Sequence, residues 1–373
     1  MKKLWFILLI ACLFAGPAMA ADTVKIGLMC PLTGSWASEG QDMKQIVELL
    51  AEEVNAAGGL LGKKVEIITA DDGGDPRNAA LAAQRLSTQD IVAVIGTYGS
   101  SITEASQNIF DESRIPQVAN GSTAIRLSEK GLDYFFRTCP RDDEQGKVAV
   151  KTLLNMGYKR IAILHDNTTY AKGLADEANG LLKKEDPADV VFFEALTAGE
   201  RDYNTILTKL KAANPDVVFF TGYYPEAGLM LRQKMEMNWN VPFIGGDATN
   251  NPDLVKIAGK DAAEGFYFLS PPVPQDLDSQ AAKAFMASYT KKYNTAPGSV
   301  WAVLSGDGFR VIAEAIKTTG STDPDKIATY LKKDLKEMPG LTGKISFNEK
   351  GDRVGDLYRV YKVDADGNFK LQL

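Results

Sequence analysis

With 373 residues, the chain is too long for one ordinary hydrophobic core and suits two domains. Its hydrophobic fraction of 45% and its charged fraction of 24% are typical of a globular protein and give no sign of disorder. The formal net charge of -6 provides no electrostatic footprint for nucleic acid or anionic lipid, so we expect neither as a partner.

The N-terminus has the composition of a secretory signal peptide over residues 1–20. Lys2 and Lys3 precede an apolar run over residues 4–14, and Ala18 and Ala20 are the small residues that signal peptidase reads. We therefore expect cleavage after Ala20 and a periplasmic protein of 353 residues, 20 fewer than the full chain. Because cleavage removes two lysines from a chain of net charge -6, the mature protein carries -8.

The three cysteines exclude a disulfide-scaffold fold. Cys12 lies within the leader, and residues 9–12 would also suit its lipidation, so a lipoprotein signal stays open as an alternative. Cys30 and Cys139 each follow a predicted strand and could form one disulfide. Two separately buried thiols are the interpretation that we favour.

Short apolar strands alternate with amphipathic helices from residue 24 onward. Strands that are apolar throughout and separated by helices predict parallel sheets covered on both faces, an α/β fold. The predicted strands are 24–29, 65–70, 92–96, 161–165, 190–196, 217–221 and 266–269, and the predicted helices between them include 43–55, 79–86, 148–154, 174–182, 206–210 and 229–235.

The alternation occurs twice, and irregular segments at 139–142 and 270–274 follow the two units. Helices at 281–293, 300–317 and 325–333 come next, and the tail reads as strands. We expect these leftover elements to complete both units, which gives more than one connection between two lobes and a cleft between them. The predicted lobes are 21–140 with 271–341 and 142–270 with 343–373, and the predicted hinge is 139–142, 270–274 and 338–342.

Catalytic motifs are scarce, so we expect neither an enzyme nor a metal or cofactor. His165 is the single histidine and is interpreted as structural, which argues against a triad or a histidine metal site. No glycine-rich nucleotide-binding motif follows the first strand. Asp71, Asp72 and Asp75 resemble a cation cluster, but a proline and an arginine follow at once, so a solvated acidic turn is the interpretation. An exported hydrolase is kept as a rival function.

Several motifs, kept in order over nearly the whole mature chain, resemble the periplasmic leucine/isoleucine/valine-binding protein family of ABC importers. The resemblance implies a two-lobed type I periplasmic-binding-protein fold with three crossovers at the hinge. It also implies closure on a small solute and docking on a membrane permease, and we expect a monomer. The motifs are Lys25-Ile26-Gly27, Pro31-Leu32-Thr33-Gly34, Gly58-Gly59-Leu60-Leu61-Gly62-Lys63-Lys64, Asp71-Asp72-Gly73-Gly74-Asp75-Pro76, Val94-Ile95-Gly96, Phe136-Arg137-Thr138, His165-Asp166, Gly222-Tyr223-Tyr224-Pro225-Glu226 and Gly343-Lys344-Ile345.

On the first lobe, the resemblance implies that Ser100 contacts the ligand carboxylate and that Gly121 offers main-chain groups. It implies that Thr123 serves both the carboxylate and the ammonium, and Tyr98, beside Ser100, is included in the candidate site. Ser100 also opens a predicted helix, where free N–H groups and the helix dipole favour a carboxylate. The alternative is that Ser100 is only a helix N-cap.

On the second lobe, the resemblance implies ligand contacts from Tyr170 and Tyr223, and it implies that Asp247 pairs with the ligand ammonium. Asp247 ends a predicted strand beside two glycines, which let the backbone approach a ligand closely. Its alternative is a cap for the helix after Pro252, and ordinary packing is the alternative for the tyrosines.

Two features depart from the family pattern. A disulfide that ties two loops in better-known members falls on Gly74 and Gly99 here. An aromatic residue of the side-chain pocket falls on Glu39, three positions after Trp36. If Glu39 faces the cleft, the solute carries a polar or basic side chain; a solvated glutamate at a helix start is the alternative.

The function that we expect is capture of an amino acid, of branched-chain or other aliphatic type, for an ABC importer. A ligand-sensing module that reports to a receptor would use the same closure and is the alternative from another class. A second alternative keeps the binding function but replaces the amino acid with another small carboxylate or amide.

Overall fold

The computed structural model describes residues 23–184 and 188–372. The predicted signal peptide, residues 1–20, lies outside the described residues. In the part of the chain that the structure describes, no helix is long and apolar enough to cross a membrane.

A parallel five-stranded sheet forms the first layer, in the order β2-β1-β3-β4-β5. Buried side chains, mostly aliphatic, fill the strands Val24–Cys30 and Ala93–Ile95, as expected for strands covered on both faces. Its strands are β1 (Val24–Cys30), β2 (Val65–Asp71), β3 (Ala93–Ile95), β4 (Gln117–Ala119) and β5 (Phe135–Arg137).

A seven-stranded sheet forms the second layer, in the order β14-β13-β10-β9-β8-β6-β7. The pairs among β6 to β10 are parallel, and the tail adds β13 and β14 as antiparallel strands at one edge. The strands are β6 (Arg160–His165), β7 (Asp189–Ala195), β8 (Val217–Phe220), β9 (Phe243–Gly245), β10 (Tyr267–Ser270), β13 (Arg359–Val363) and β14 (Phe369–Leu371), and a separate hairpin joins β11 (Met338–Gly340) to β12 (Gly343–Ile345).

Helices cover the sheets and begin and end where local chemistry satisfies their free backbone groups. Asp75 accepts from the main-chain N–H groups of Arg77 and Asn78, and Ser299 from that of Ala302. The helices are α1 (Ala37–Ala56), α2 (Pro76–Leu86), α3 (Ser100–Glu112), α4 (Asp142–Asn155), α5 (Thr169–Leu182), α6 (Asn204–Ala212), α7 (Tyr224–Glu236), α8 (Asp253–Ala258), α9 (Lys260–Ala263), α10 (Gln280–Tyr293), α11 (Val300–Thr319) and α12 (Pro324–Lys333).

The α/β architecture and the predicted strands are confirmed, with bounds that differ by one or two residues. The strands β4, β5 and β9, of three residues each, were not predicted. Two helices begin one and a half turns or more before their predicted starts. Helix α1 begins at Ala37 rather than 43 and α4 at Asp142 rather than 148, because their first turns carry polar residues that are buried in tertiary contacts.

Buried charges join the segments that pass between the sheets. Arg353 donates to the main-chain oxygen of Thr138 at 3.1 Å and to the hydroxyl of Thr342 at 2.6 Å. Asp307 accepts from the main-chain N–H of Leu341 at 2.6 Å and of Thr342 at 3.0 Å. Arg353 therefore links Thr138, the residue before the first predicted hinge segment, to Thr342 at the end of the third, and the hinge itself stays a prediction.

The edge of the first sheet continues into the tail. Arg137 in β5 donates its main-chain N–H to Gly351 at 2.9 Å, and its guanidinium donates to Asp352 at 2.7 Å. These contacts attach residues 351–353 to the first sheet, whereas the predicted second lobe includes 343–373. The lobe boundaries stay a prediction.

Candidate functional site

The turn between β3 and α3 forms one wall of the cleft. Ser100 is the first residue of α3 and is fully buried, and its hydroxyl accepts from the main-chain N–H of Ala124 at 3.2 Å. Gly99, not Ser100, holds the N-cap position, so the interpretation of Ser100 as an N-cap is wrong. The main-chain N–H of Ser100 faces the hydroxyl of Tyr223 across the cleft.

The loop after β4 lies against this turn. A Cβ on Gly121 would stand 2.7 Å from Cδ2 of Tyr98 and 2.8 Å from its main-chain oxygen, so only glycine allows this approach. The buried hydroxyl of Thr123 lies near Asp142 without a well-formed hydrogen bond to any described residue. A buried hydroxyl in that condition is free to bind a ligand.

Asp247 lies just beyond β9 and is buried. Its carboxylate accepts from the hydroxyl of Tyr358 at 2.7 Å and faces the hydroxyl of Tyr170, which itself accepts from the main-chain N–H of Ala248 at 3.3 Å. Burial raises the pKa of Asp247 to about 7. The capping interpretation is wrong, because Asn251 accepts the N–H at the start of α8.

Asp142 is a site residue that sequence reasoning assigned only to the hinge. It opens α4, is 0% exposed, and accepts from the amide of Gln145 at 2.8 Å through one oxygen. Its other oxygen has no hydrogen-bond partner among the described residues. Burial, and then the charge of Asp247, raises its pKa well above the usual range. An acidic residue at the end of a predicted hinge segment was the signal that could have identified it.

Four aromatic rings line the cleft between the sheets. The ring of Tyr223 lies 4.3 Å from that of Trp36, 5.9 Å from that of Tyr98 and 5.4 Å from that of Tyr170, measured between centroids. The ring of Trp36 meets that of Tyr98 edge-on at 5.5 Å. These separations are typical of aromatic pairs in contact, so the tyrosines predicted for the site do come together.

Trp36 also fills the gap between the two loops that the family resemblance would join by a disulfide. A Cβ on Gly74 would stand 2.8 Å from the indole ring, and one on Gly99 would stand equally close to it. The indole ring therefore needs glycine on both loops. Sequence reasoning noted Trp36 only as a neighbour of Glu39.

Glu39 is buried, so its interpretation as a solvated residue is wrong. One carboxylate oxygen accepts from the hydroxyl of Ser299 at 2.6 Å and the other from the amide of Asn251 at 3.1 Å. Burial raises the pKa of Glu39 to about 8. The residue joins the start of α1 to the start of α11 and to the loop before α8.

The predictions for the other titratable residues had mixed outcomes. His165 is buried and accepts from the main-chain N–H of Asn167 at 3.1 Å, as a structural histidine does. Asp71 is exposed as expected but is the last residue of β2, and Asp72 is buried, which corrects the solvated interpretation for that residue.

Two further predictions concern sulfur and metal. Cys30 and Cys139 are buried free thiols, which confirms the interpretation that we favoured. Within residues 23–184 and 188–372, no group of three or more histidine, cysteine or carboxylate side chains could hold a metal ion.

Comparison with known proteins gives a consistent result. The periplasmic binding protein family model matches residues 23–368. The Leu/Ile/Val-binding protein BraC3 of Rhizobium johnstonii is 35% identical over 96% of each chain. A leucine-, isoleucine-, valine-, threonine- and alanine-binding protein of Pseudomonas aeruginosa is 34% identical, over 95% of this chain and 93% of its own.

Solved structures agree with the fold. The leucine-binding protein LivK of Thermotoga maritima superposes with a TM-score of 0.87 at 29% identity, covering 94% of this chain and 98% of its own. LivJ of Streptococcus pneumoniae, in complex with isoleucine, gives a TM-score of 0.84 at 29% identity with the same coverage. Both similarities extend over both sheets.

Proposed function

Because this chain belongs to the periplasmic binding protein family, we propose that it is exported, captures an amino acid between its two lobes and delivers it to an ABC importer. Relatives named for leucine, isoleucine and valine support a ligand of the aliphatic class. The importer would provide the membrane permease as partner.

The observation that carries this proposal is the pair of buried carboxylates, Asp142 and Asp247. Each raises the energetic cost of ionising the other, because a buried charge is stable only when an opposite charge or several donors compensate it. The α-ammonium of an amino acid provides three N–H donors and one positive charge. An acid without an amine would add a third negative charge to the same cleft, which disfavours that alternative.

The carboxylate of the amino acid would bind beside the turn at the start of α3. There the helix dipole is favourable, and the hydroxyl of Thr123, which also lies near Asp142, offers a donor. Ser100 lies on the same helical turn. The site therefore offers donors for the negative end of a zwitterion and carboxylates for its positive end.

The test is a thermal-shift screen of residues 21–373 against the twenty amino acids, followed by calorimetry on the best ligand and on two of its analogues. A ligand at a hundredfold excess over its Kd adds about 2.7 kcal/mol of stability, which is readily measured. We expect the analogue without the amine and the amide without the carboxylate each to bind at least a hundredfold more weakly. If no amino acid stabilises the protein, or if the deaminated acid binds equally well, the proposal fails.

Matched variants locate the contacts. Thr123→Val removes the Thr123 hydroxyl at nearly constant volume, and Ser100→Ala removes the Ser100 hydroxyl. Each substitution should weaken ligand binding by about 1–3 kcal/mol. Glu226→Gln is the control, since Glu226 is a buried carboxyl that accepts from Gly199 at 3.0 Å. It should leave the affinity unchanged.

A ligand-sensing role uses the same closure and is the second candidate. Deleting the gene separates the two functions. Loss of uptake of the bound amino acid supports transport, whereas normal uptake with a lost response to the amino acid supports sensing.

A further inference from the structure

We propose that the side-chain end of this cleft selects a small amino acid whose side chain bears a hydroxyl group, with Tyr98 as the residue that recognises it. The inference rests on the proposed function, and it assigns a hydroxyl-bearing side chain where the names of the relatives support an aliphatic one. Threonine is the reference ligand, and valine, which has a methyl group in place of the hydroxyl, is its matched comparison.

The Tyr98 hydroxyl is a buried polar group in need of a partner. The side chain is 2% exposed, and its hydroxyl has no hydrogen-bond partner among the described residues. Native proteins pair almost all buried hydroxyls, so an exception calls for an explanation. An aliphatic side chain in the cleft would leave this hydroxyl unpaired, whereas a ligand hydroxyl would either donate to it or accept from it.

The ring of Tyr98 is held in place by its neighbours. Gly121 lies against one edge of it, and the rings of Trp36 and Tyr223 pack on it at 5.5 Å and 5.9 Å. Because the ring lies between parts of both lobes, its hydroxyl cannot turn away to find solvent.

The neighbouring Glu39 favours a neutral side chain over a cationic one. Burial, and then the charge of Glu39, raises the pKa of Tyr98 well above its usual range. The oxygens of Glu39 accept from the hydroxyl of Ser299 and the amide of Asn251, but burial still raises its pKa to about 8, so its carboxyl group is mostly neutral at pH 7. It therefore does not need the charge of a lysine or arginine ligand. The region is polar, but it is not an unpaired anionic site.

Calorimetry with threonine and valine on the parent protein tests the inference without any mutation. A site that hydrogen-bonds a ligand hydroxyl discriminates strongly against an analogue that lacks it. We expect threonine to bind tenfold to a hundredfold more tightly than valine. If valine or leucine binds as tightly as threonine or more tightly, the inference is overturned but the proposed function is intact. The same holds if lysine or arginine binds most tightly.

The variant Tyr98→Phe then assigns the preference to its residue. It removes one oxygen and keeps the ring, so we expect the ratio of threonine to valine affinity to fall to within about threefold while valine binds at least as well as before. An unchanged ratio overturns the role of Tyr98. Melting temperature and circular dichroism confirm that the variant is folded, and binding of no amino acid by the parent overturns both proposals.

Discussion

Replacing Asp247 with Asn is the most informative perturbation of the cleft. The substitution keeps the size of the side chain and an oxygen that can accept from Tyr358, now at 2.7 Å, but it removes the negative charge. If Asp247 compensates the ligand ammonium, the variant must lose affinity. If Asp247 is only structural, the variant must bind as the parent does.

The structure sets the magnitude of the expected change. Both Asp142 and Asp247 are buried, so a bound ammonium would be shared by two carboxylates in a region from which water is excluded. Removal of one partner of a buried, hydrogen-bonded charge pair typically costs 2–5 kcal/mol. Because Asp142 remains, we expect a loss of about 2–4 kcal/mol, which is roughly a 30-fold to 1000-fold increase in Kd.

Stability should change in the opposite direction. Burial raises the pKa of Asp247 from 3.8 to about 7, so its ionised form destabilises the ligand-free fold as the pH rises from about 4 to 7. Asparagine removes this penalty. We expect the melting temperature of the ligand-free variant at pH 8 to equal or exceed that of the parent.

Calorimetry at pH 7.5 measures the affinity, and thermal unfolding without ligand measures stability. Asp142→Asn should give a similar loss of affinity, and the control Glu226→Gln should give none. If Asp247→Asn binds the ligand as tightly as the parent, the shared-ammonium reasoning is refuted. A loss of affinity together with a large drop in melting temperature would point instead to damage of the fold.

Three other perturbations test the surroundings of the cleft. Glu39→Gln should reduce the dependence of stability on pH, because burial raises the pKa of Glu39 to about 8 and the parent should therefore lose free energy of unfolding between pH 5 and 8 relative to the variant. Urea denaturation measures this, and an equal difference in free energy of unfolding between parent and variant at both pH values would disprove it. Gly99→Ala should lower the free energy of unfolding by about 1–3 kcal/mol, because it forces a Cβ against the indole ring. This loss should largely vanish in the Trp36→Ala background, and equal losses in both backgrounds would contradict the packing argument. Asp352→Asn should lower the free energy of unfolding, measured by urea denaturation, by about 3–5 kcal/mol, because it breaks a buried ion pair with Arg137. The control Glu129→Gln breaks an exposed ion pair and should lower it by under about 1 kcal/mol. Similar losses for the two variants would show that burial is not the cause.

The local sequence pattern was sufficient to predict the helices and strands and part of the candidate site. Apolar runs at 161–165 and 217–221 predicted two buried parallel strands, because strands covered on both faces need no polar alternation. The turns that follow such strands were expected to hold the ligand, and Ser100, Tyr223 and Asp247 do lie at those turns. Whether they contact a ligand stays a prediction until binding is measured.

Burial and long-range proximity depended on the tertiary structure. Glu39 reads as an exposed residue of a helical first turn, yet its carboxyl group meets Ser299 and Asn251, which are 260 and 212 positions away. The sequence suggested Asp142 as a hinge residue, yet in the structure its charge raises the energetic cost of ionising Asp247, which lies far along the chain. The pKa of each group is set by water exclusion and by charges brought close in space, and neither quantity is written in the local sequence. The chain itself therefore determined the α/β order and the strand-end turns, whereas only the packing of two lobes decided which polar groups were left buried and in need of a ligand.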